Sequence, residues 1–347
     1  MKIHLPANAI ILPIIKNSVT YYFFLDTGFP ISFANNLDEI NHINHKNLGI
    51  EPSFDLTLQT APIDIQPLSE HLMINLSGFL GMDFLCQFDN VAINFAEREI
   101  NFNITGFQAD AEIPLISNSP LIIELAIESS DQFKTCLVDT GSYQSLFFNA
   151  PKGVYPKSFG WQFPSAFGNM MVDFYAGIEA KAHNINFGKH IFGQPSNLPA
   201  MGFDYILGLN ILSQYECCFN LKQNSIQLRN NPREFRHGAD LSAAIYCAGL
   251  QIIRHKDKLY VANILTGFAQ TDIKIGDLLE LPEIDFNNPE LINEVYKRMS
   301  PTITGKQLEV CIDKEITRLV MGGMFKSCKI TGVSTLNASS ITSRKNK

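Results

Sequence analysis

The tripeptide Asp-Thr-Gly occurs twice in this chain, each time at the end of an apolar run. Each copy is followed, at a similar distance, by two hydrophobic residues and a Gly. The first set is Phe24-Leu25-Asp26-Thr27-Gly28 with Phe79-Leu80-Gly81, and the second is Leu137-Val138-Asp139-Thr140-Gly141 with Ile206-Leu207-Gly208. A matched pair of this kind implies a duplicated unit, which constrains the fold more than any composition does. Each unit also contributes one carboxylate. Two carboxylates brought together share a proton and can activate a water between them.

The duplication extends beyond the signatures. Asn8 to Ile15 and Leu121 to Ile127 are β-like lead-in runs, each followed by a polar turn and the apolar run that ends in Asp-Thr-Gly. Short apolar runs separated by turn residues favour hairpins over helices. Phe79 to Phe88 aligns with Ile206 to Tyr215, and a closing hairpin follows in both: Val91–Phe95 with Ile100–Phe102, then Cys218–Leu221 with Ile226–Leu228. Their alternation of apolar and polar residues is that of half-buried strands. The two aspartates lie 113 positions apart but the later glycines 127, so the second half is 14 residues longer between its signatures. Extra length inside a repeat falls in a loop. Phe167 to Gly177 reads as a hairpin with Gly near both ends, either a flap over a cleft or an ordinary surface hairpin.

The 347 residues suggest two or three domains. Hydrophobic residues make up 46% and charged residues 18%, enough for full cores, and the 26 Phe suit wide sheet interiors. The net charge of -7 is spread without a long run of one sign, so nothing points to nucleic acid. No apolar run is long enough to span a bilayer. The opening Met1-Lys2-Ile3-His4-Leu5-Pro6 makes a poor signal peptide, because Pro6 and Pro13 interrupt it. Seven Cys without a disulfide or metal rhythm imply reduced thiols and a cytoplasmic location. Asn75-Leu76-Ser77 and Asn103-Ile104-Thr105 are sequons only if the protein is secreted from a eukaryotic cell. Cys217-Cys218 sits in a strand-like run, where Cys behaves as a small hydrophobe rather than a redox pair. His42 and His45 lack a third ligand nearby, so neither a metal nor any other cofactor is expected. Trp161 either lines a cleft or packs in a core.

On these motifs, residues 1 to 235 resemble two fused retropepsin-like lobes, the bilobal arrangement of aspartic proteases. The implied fold is mostly β, with a first β-barrel lobe over 1–108 and a second over 109–235 about a pseudo-twofold axis. The implied function is an aspartic endopeptidase acting on protein or peptide substrates, with Asp26 and Asp139 as the catalytic pair. In that family Thr27 and Thr140 hydrogen-bond across the axis. Gly28 and Gly141 permit close approach of the opposite lobe, and Phe79-Leu80-Gly81 and Ile206-Leu207-Gly208 pack behind the loops. Ser142 follows the second motif as the family pattern has it, and would donate to the outer oxygen of its aspartate. Phe29 followed by Pro30 departs from that pattern. A missing hydroxyl donor raises a carboxylate's pKa, which extends activity to higher pH, whereas the bulk of Phe29 would instead crowd the site. A catalytically silent bilobal peptide-binding scaffold is therefore the alternative, and a redox or metal protein a third.

Residues 236 to 333 resemble a PDZ domain of the bacterial protease-associated type. The resemblance rests on Ala248-Gly249-Leu250, the strand around Val261, Asp272-Ile273-Lys274-Ile275-Gly276-Asp277, a helix near 289–298 and a strand over Leu308–Ile312. It implies that the loop at Ala248, Gly249 and Leu250 binds a peptide's C-terminal carboxylate while the peptide adds to the sheet edge. A small packing domain without a ligand is the competing reading, and Gln251 stands where the family often has Gly. Residues 334–347 are polar and read as a flexible tail.

Overall fold

The computed structural model describes residues 1–51, 53–128, 132–149, 153, 155, 157–165, 168–196, 202–231, 250–264, 274–281, 283–299, 307–312 and 315–320. Among them the chain is mostly β. The first half runs β1 (Ile11–Lys16), β2 (Val19–Leu25), β3 (Phe33–Ala34), β4 (His42–Asn44), α1 (His45–Leu48), β5 (Asp55–Thr57) and β6 (Gln59–Thr60). It continues with α2 (Gln66–Leu72), β7 (Leu76–Leu80), α3 (Met82–Leu85), β8 (Asn90–Asn94) and β9 (Glu99–Phe102). The second half runs β10 (Ala111–Pro114), β11 (Ser117–Asn118), β12 (Leu121–Ile127), β13 (Lys134–Val138), β14 (Leu146–Phe147), β15 (Lys157–Ser165) and β16 (Gly168–Ala182). After these come β17 (Ile185–Pro195), β18 (Tyr205–Leu207), α4 (Leu209–Leu212), β19 (Tyr215–Asn220) and β20 (Ser225–Asn230). A C-terminal unit holds β21 (Leu250–His255), β22 (Lys258–Ile264), β23 (Leu278–Glu280), α5 (Leu291–Met299), β24 (Gln307–Ile312) and β25 (Glu315–Val320).

The duplicated sequence gives duplicated pairing. In the first half β2 lies parallel to β7, with Leu25 opposite Leu80, and β3 lies antiparallel to β7. In the second half β13 lies parallel to β18, with Val138 opposite Leu207, and β14 lies antiparallel to β18. Each Asp-Thr-Gly thus leaves the end of a parallel pair whose second strand is the hydrophobic-hydrophobic-Gly signature. These pairs are covered on both faces, which is why Phe23, Leu25, Leu80, Val138 and Leu207 are fully buried. The closing hairpins join the halves: one sheet runs β10-β20-β19-β8-β9, and its central contact pairs Cys217 with Ile93 and Phe219 with Val91. Cys217 and Cys218 are buried neighbours in β19, so their side chains point to opposite faces of that sheet. His42 pairs with Asp55, at 2.6 Å. No helix of the described residues is long and apolar enough to cross a membrane.

The halves diverge between their signatures. The second builds a long antiparallel run, β15 to β17. The expected hairpin over 167–177 is therefore misplaced. Gly168 to Gly177 belong to one strand, β16, paired with β15 on one side and β17 on the other, and Gly177 (φ 83°) sits at a register shift between Tyr175 and Ile178. Alternating apolar and polar residues either side of Gly177 continue one strand through a bulge, where sequence reading took the Gly for a turn. Trp161 lies in β15. The first half has short strands and two helices in the same interval.

In the C-terminal unit, β21 to β25 form one antiparallel meander in sequence order. Ala248 and Gly249, expected to form a carboxylate-binding loop, lie outside the described residues, as does the tail; Leu250 opens β21. This unit packs on the first half. Its Ile252, Val261, Leu291 and Tyr296 share a buried cluster with Ala9, Leu72 and Met73. The seam is also polar. His255 Nδ1 meets Glu70 Oε1 at 3.0 Å, Gln251 Nε2 meets His71 Nδ1 at 3.3 Å, and Arg254 donates to the Met73 carbonyl at 3.3 Å.

Burial holds the His71 imidazole down to about 4. The unfolded chain takes up that proton near pH 6.5, the folded chain only near 4, so folding stability falls as pH drops through that window, by on the order of 3 kcal/mol at most. Urea unfolding of wild type and His71→Gln at pH 7 and pH 4.5 measures this. The wild type is expected to lose more stability on acidification than the variant, and equal losses would show that His71 is not the titrating group.

Candidate active site

The two Asp-Thr-Gly loops meet at the seam between the halves. Asp26 N–H donates to the Leu80 carbonyl and Asp139 N–H to the Leu207 carbonyl, both at 3.0 Å, so each signature strand fixes the start of its loop. The threonines then cross over. Thr27 Oγ1 donates to the Val138 carbonyl (2.7 Å) and accepts from Thr140 N–H (2.9 Å). Thr140 Oγ1 donates to the Leu25 carbonyl (2.9 Å) and accepts from Thr27 N–H (3.0 Å). Both threonines are fully buried. Four mutual bonds in a dry interface fix the relative position of the loops far better than exposed bonds would.

The glycines complete the approach. Gly28 N–H donates to Asp26 Oδ1 at 2.8 Å and Gly141 N–H to Asp139 Oδ1 at 2.7 Å. A Cβ at Gly28 would stand 2.9 Å from the Asp139 carboxyl carbon, and one at Gly141 would overlap the Asp26 carboxyl group. Each glycine therefore lies on the opposite half's carboxylate, and no other residue fits. The two carboxyl groups are hydrogen-bonded to each other, with Asp26 only 9% exposed.

Burial pushes the Asp26 carboxyl well above the usual carboxylate range, and the adjacent Asp139 charge adds to this. Burial raises Asp139 too, but hydrogen bonds from Asp26 and from the backbone N–H groups of Gly141, Ser142 and Gly28 favour its ionised form. The two acids titrate as one coupled pair that holds a proton above the usual carboxylate range, with more backbone donors serving Asp139 than Asp26. Such a pair offers a general acid and a general base within reach of one bound water.

Ser142 and Phe29 differ from expectation. The Ser142 hydroxyl donates to the Gln144 carbonyl at 2.7 Å, and it is the Ser142 backbone N–H that serves the Asp139 carboxylate. A hydroxyl with an unpaired carbonyl two residues on takes that local partner. Phe29 does not crowd the pair. Its ring turns into lobe-forming aromatics, with centroids 5.4 Å from Phe33 and 5.9 Å from Phe79, while its N–H still serves Asp26.

A buttress behind each loop escaped the sequence reading. Ser32 Oγ donates to Asp83 (2.5 Å) and accepts from Gly81 N–H (2.9 Å). In the second half Ser145 Oγ donates to Asn210 (2.7 Å) and accepts from Gly208 N–H (3.0 Å). The signal was present: each Ser stands six residues after its Asp, and Asp83 and Asn210 each stand two after the signature Gly. Among the described residues no group of three His, Cys, Asp or Glu is placed to hold a metal ion.

No protein-family model matches the chain, and no curated protein does. Among solved structures it is similar to the crystal structure of aspartic proteinase from Irpex lacteus, at 12% identity and a TM-score of 0.36, covering 65% of this chain and 95% of that one. A likeness of that size carries no inference, and the site stands on its own geometry.

Two outcomes are expected. Gly141→Ala forces the loops apart and lowers stability by about 1–3 kcal/mol, read as a fall in the denaturation midpoint. Asp26→Asn removes a buried, repelled carboxyl group. The native pair resists losing its proton, so the penalty grows as pH rises from about 4, the unfolded carboxylate range. Thermal unfolding should show Asp26→Asn more stable than wild type at pH 7, with the gap closing below pH about 4. A variant less stable at both pH values would refute the penalty.

Proposed function

We propose that this chain is an aspartic endopeptidase built from two fused retropepsin-like lobes, hydrolysing peptide bonds of protein or peptide substrates. The observation that carries the reading is the coupled Asp26–Asp139 pair at a seam locked by reciprocal threonine bonds. The ionised Asp139 takes a proton from a water held between the acids. Asp26 gives its proton to the scissile carbonyl as the water oxygen attacks. The tetrahedral intermediate forms with no covalent bond to the enzyme; Asp139 then gives the proton it took to the departing amine as the C–N bond breaks, and a hydroxyl of the intermediate returns its proton to Asp26. Thr27, Gly28, Thr140 and Gly141 hold the acids in place, and the Ser142 N–H keeps Asp139 charged. The C-terminal unit is read as a PDZ-like module. On that reading Leu250 would open its edge strand.

Phe29 supplies no hydroxyl to Asp26, and the raised Asp26 proton affinity agrees with a pair that keeps its single proton toward neutral pH. Cleavage of an unfolded protein mixture is expected to persist above pH 5, and activity confined below about pH 4 would contradict this. Asp26→Asn and Asp139→Asn should each abolish cleavage, by a thousandfold or more, while the purified variants stay folded. Cleavage surviving in both would overturn the dyad as its source, and a folded wild type without cleavage would leave a silent peptide-binding scaffold. A statine-type mimic of the tetrahedral state should inhibit the wild type.

A further inference from the structure

The contacts between the C-terminal unit and the first half converge on the two strands that frame Asp26. The chain from Leu5 to Ala9 is held by the start of α5. Glu290 Oε1 accepts from Leu5 N–H at 3.0 Å, Asn293 Oδ1 accepts from Ala7 N–H at 2.9 Å, and Asn293 Nδ2 donates to the Leu5 carbonyl at 2.9 Å. Arg98 pairs with Glu290 behind them. Ala7 has a left-handed backbone, with φ 47° and ψ 34°, a conformation that a non-glycine residue keeps only when its surroundings impose it. The segment then delivers the Ile10 carbonyl to Leu25 N–H at 2.9 Å, and the Leu25 carbonyl receives Thr140 Oγ1. On the other side, β21 lies along α2. That helix ends in the left-handed Met73 and leads into β7, whose Leu80 carbonyl receives Asp26 N–H.

The face of the C-terminal unit that would take an incoming strand is already in use. Ile252 N–H on β21 donates to Tyr296 Oη of α5 at 2.9 Å, in a buried bond. Gln251 and His255 on the same strand are engaged by His71 and Glu70 of α2. β21 is thus engaged at Ile252 by the unit's own helix, and at the Gln251 and His255 side chains by the first half.

We propose that the C-terminal unit is an intramolecular brace, with Asn293 and Glu290 as positioning residues that act on Asp26 through Leu5–Ile10 and Leu25. The proposal rests on the proteolytic reading for its kinetic consequence, but not for its structural one. Among the described residues the hydrogen bonds of the brace favour one acid: they reach the strands beside Asp26 directly, and reach Asp139 only across the seam, through Leu25 and Thr140.

The test uses full-length Asn293→Ala and the milder Glu290→Gln, which keeps an acceptor for Leu5 N–H. Amide hydrogen exchange is resolved at Leu25, Asp26 and Asp139. In Asn293→Ala, protection at Leu25 and Asp26 is expected to fall tenfold or more, protection at Asp139 to stay within twofold, and amides of β19 and β20 to report an intact fold. Glu290→Gln should shift the same amides less. Unchanged protection at Leu25 and Asp26, or an equal loss at Asp139, overturns the brace whether or not the protein cleaves anything. In the kinetic arm, kcat should fall at least fivefold with KM within twofold, and the high-pH limb of the kcat profile should move. Loosened amides with kcat and the pH profile unchanged would reduce the contact to a structural one and overturn its positioning role. A wild type without cleavage, showing the expected exchange pattern, would instead refute the proteolytic reading and leave the structural brace standing.

Discussion

Two acidic groups that would separate in water are held in hydrogen-bonding contact inside the protein, and what opposes their separation is the set of four bonds that Thr27 and Thr140 make with each other and with the opposite strands. Each threonine supplies a hydroxyl that donates to the other half's strand and accepts from the other half's loop. Those bonds are worth more in a buried interface than at a surface, because breaking any of them strands a polar group without water. The glycines are the steric condition of the same arrangement. With Gly28 and Gly141 bare, each backbone can lie directly on the opposing carboxylate. Burial raises both carboxyl groups, and their surroundings differ although their residue type does not: two backbone N–H groups serve Asp26 and three serve Asp139.

Much of this was legible because duplication gives every local signal a second witness. A lone Asp-Thr-Gly is ordinary turn chemistry. Two copies, each at the end of an apolar run and each with a matching signature downstream, singled out Asp26 and Asp139 as a pair, whereas the parallel pairing of β2 with β7 and of β13 with β18 appears only in the structure. The C-terminal strands up to β24 and α5 were likewise visible in the sequence, close to ranges such as Lys258–Ile264 and Leu291–Met299, whereas β25 was not read. What escaped were contacts that no periodicity encodes. The Ser142 hydroxyl turned to a carbonyl two residues away, a choice set by loop geometry. Gly177 marked a bulge within a long strand, where sequence reading saw a turn, since a positive φ serves both. Ser32 and Ser145 were overlooked as unremarkable polar residues, although their spacing repeats faithfully.

The asymmetry between the halves has a common physical source. The first half spends the interval between its signatures on short strands and on α2, which receives the C-terminal unit. The second spends it on the continuous run β15 to β17. A surface committed to docking another unit cannot also carry a long projecting hairpin, so each half is specialised by what it packs against.

The sheet that joins β8 and β9 to β19, β20 and β10 has a consequence for chain topology. Its middle ladder, Asn90–Ile93 against Cys217–Asn220, crosses from one half to the other, with Val91 to Ile93 and Cys217 to Phe219 fully buried. Neither half can satisfy that ladder alone, and each in isolation would bare a hydrophobic strand edge of the kind that seeks another chain. The halves therefore behave as an obligate pair that happens to share one backbone. The connection between Phe102 and Ala111 serves to raise their mutual concentration, and a backbone severed there would still find its complement through this ladder.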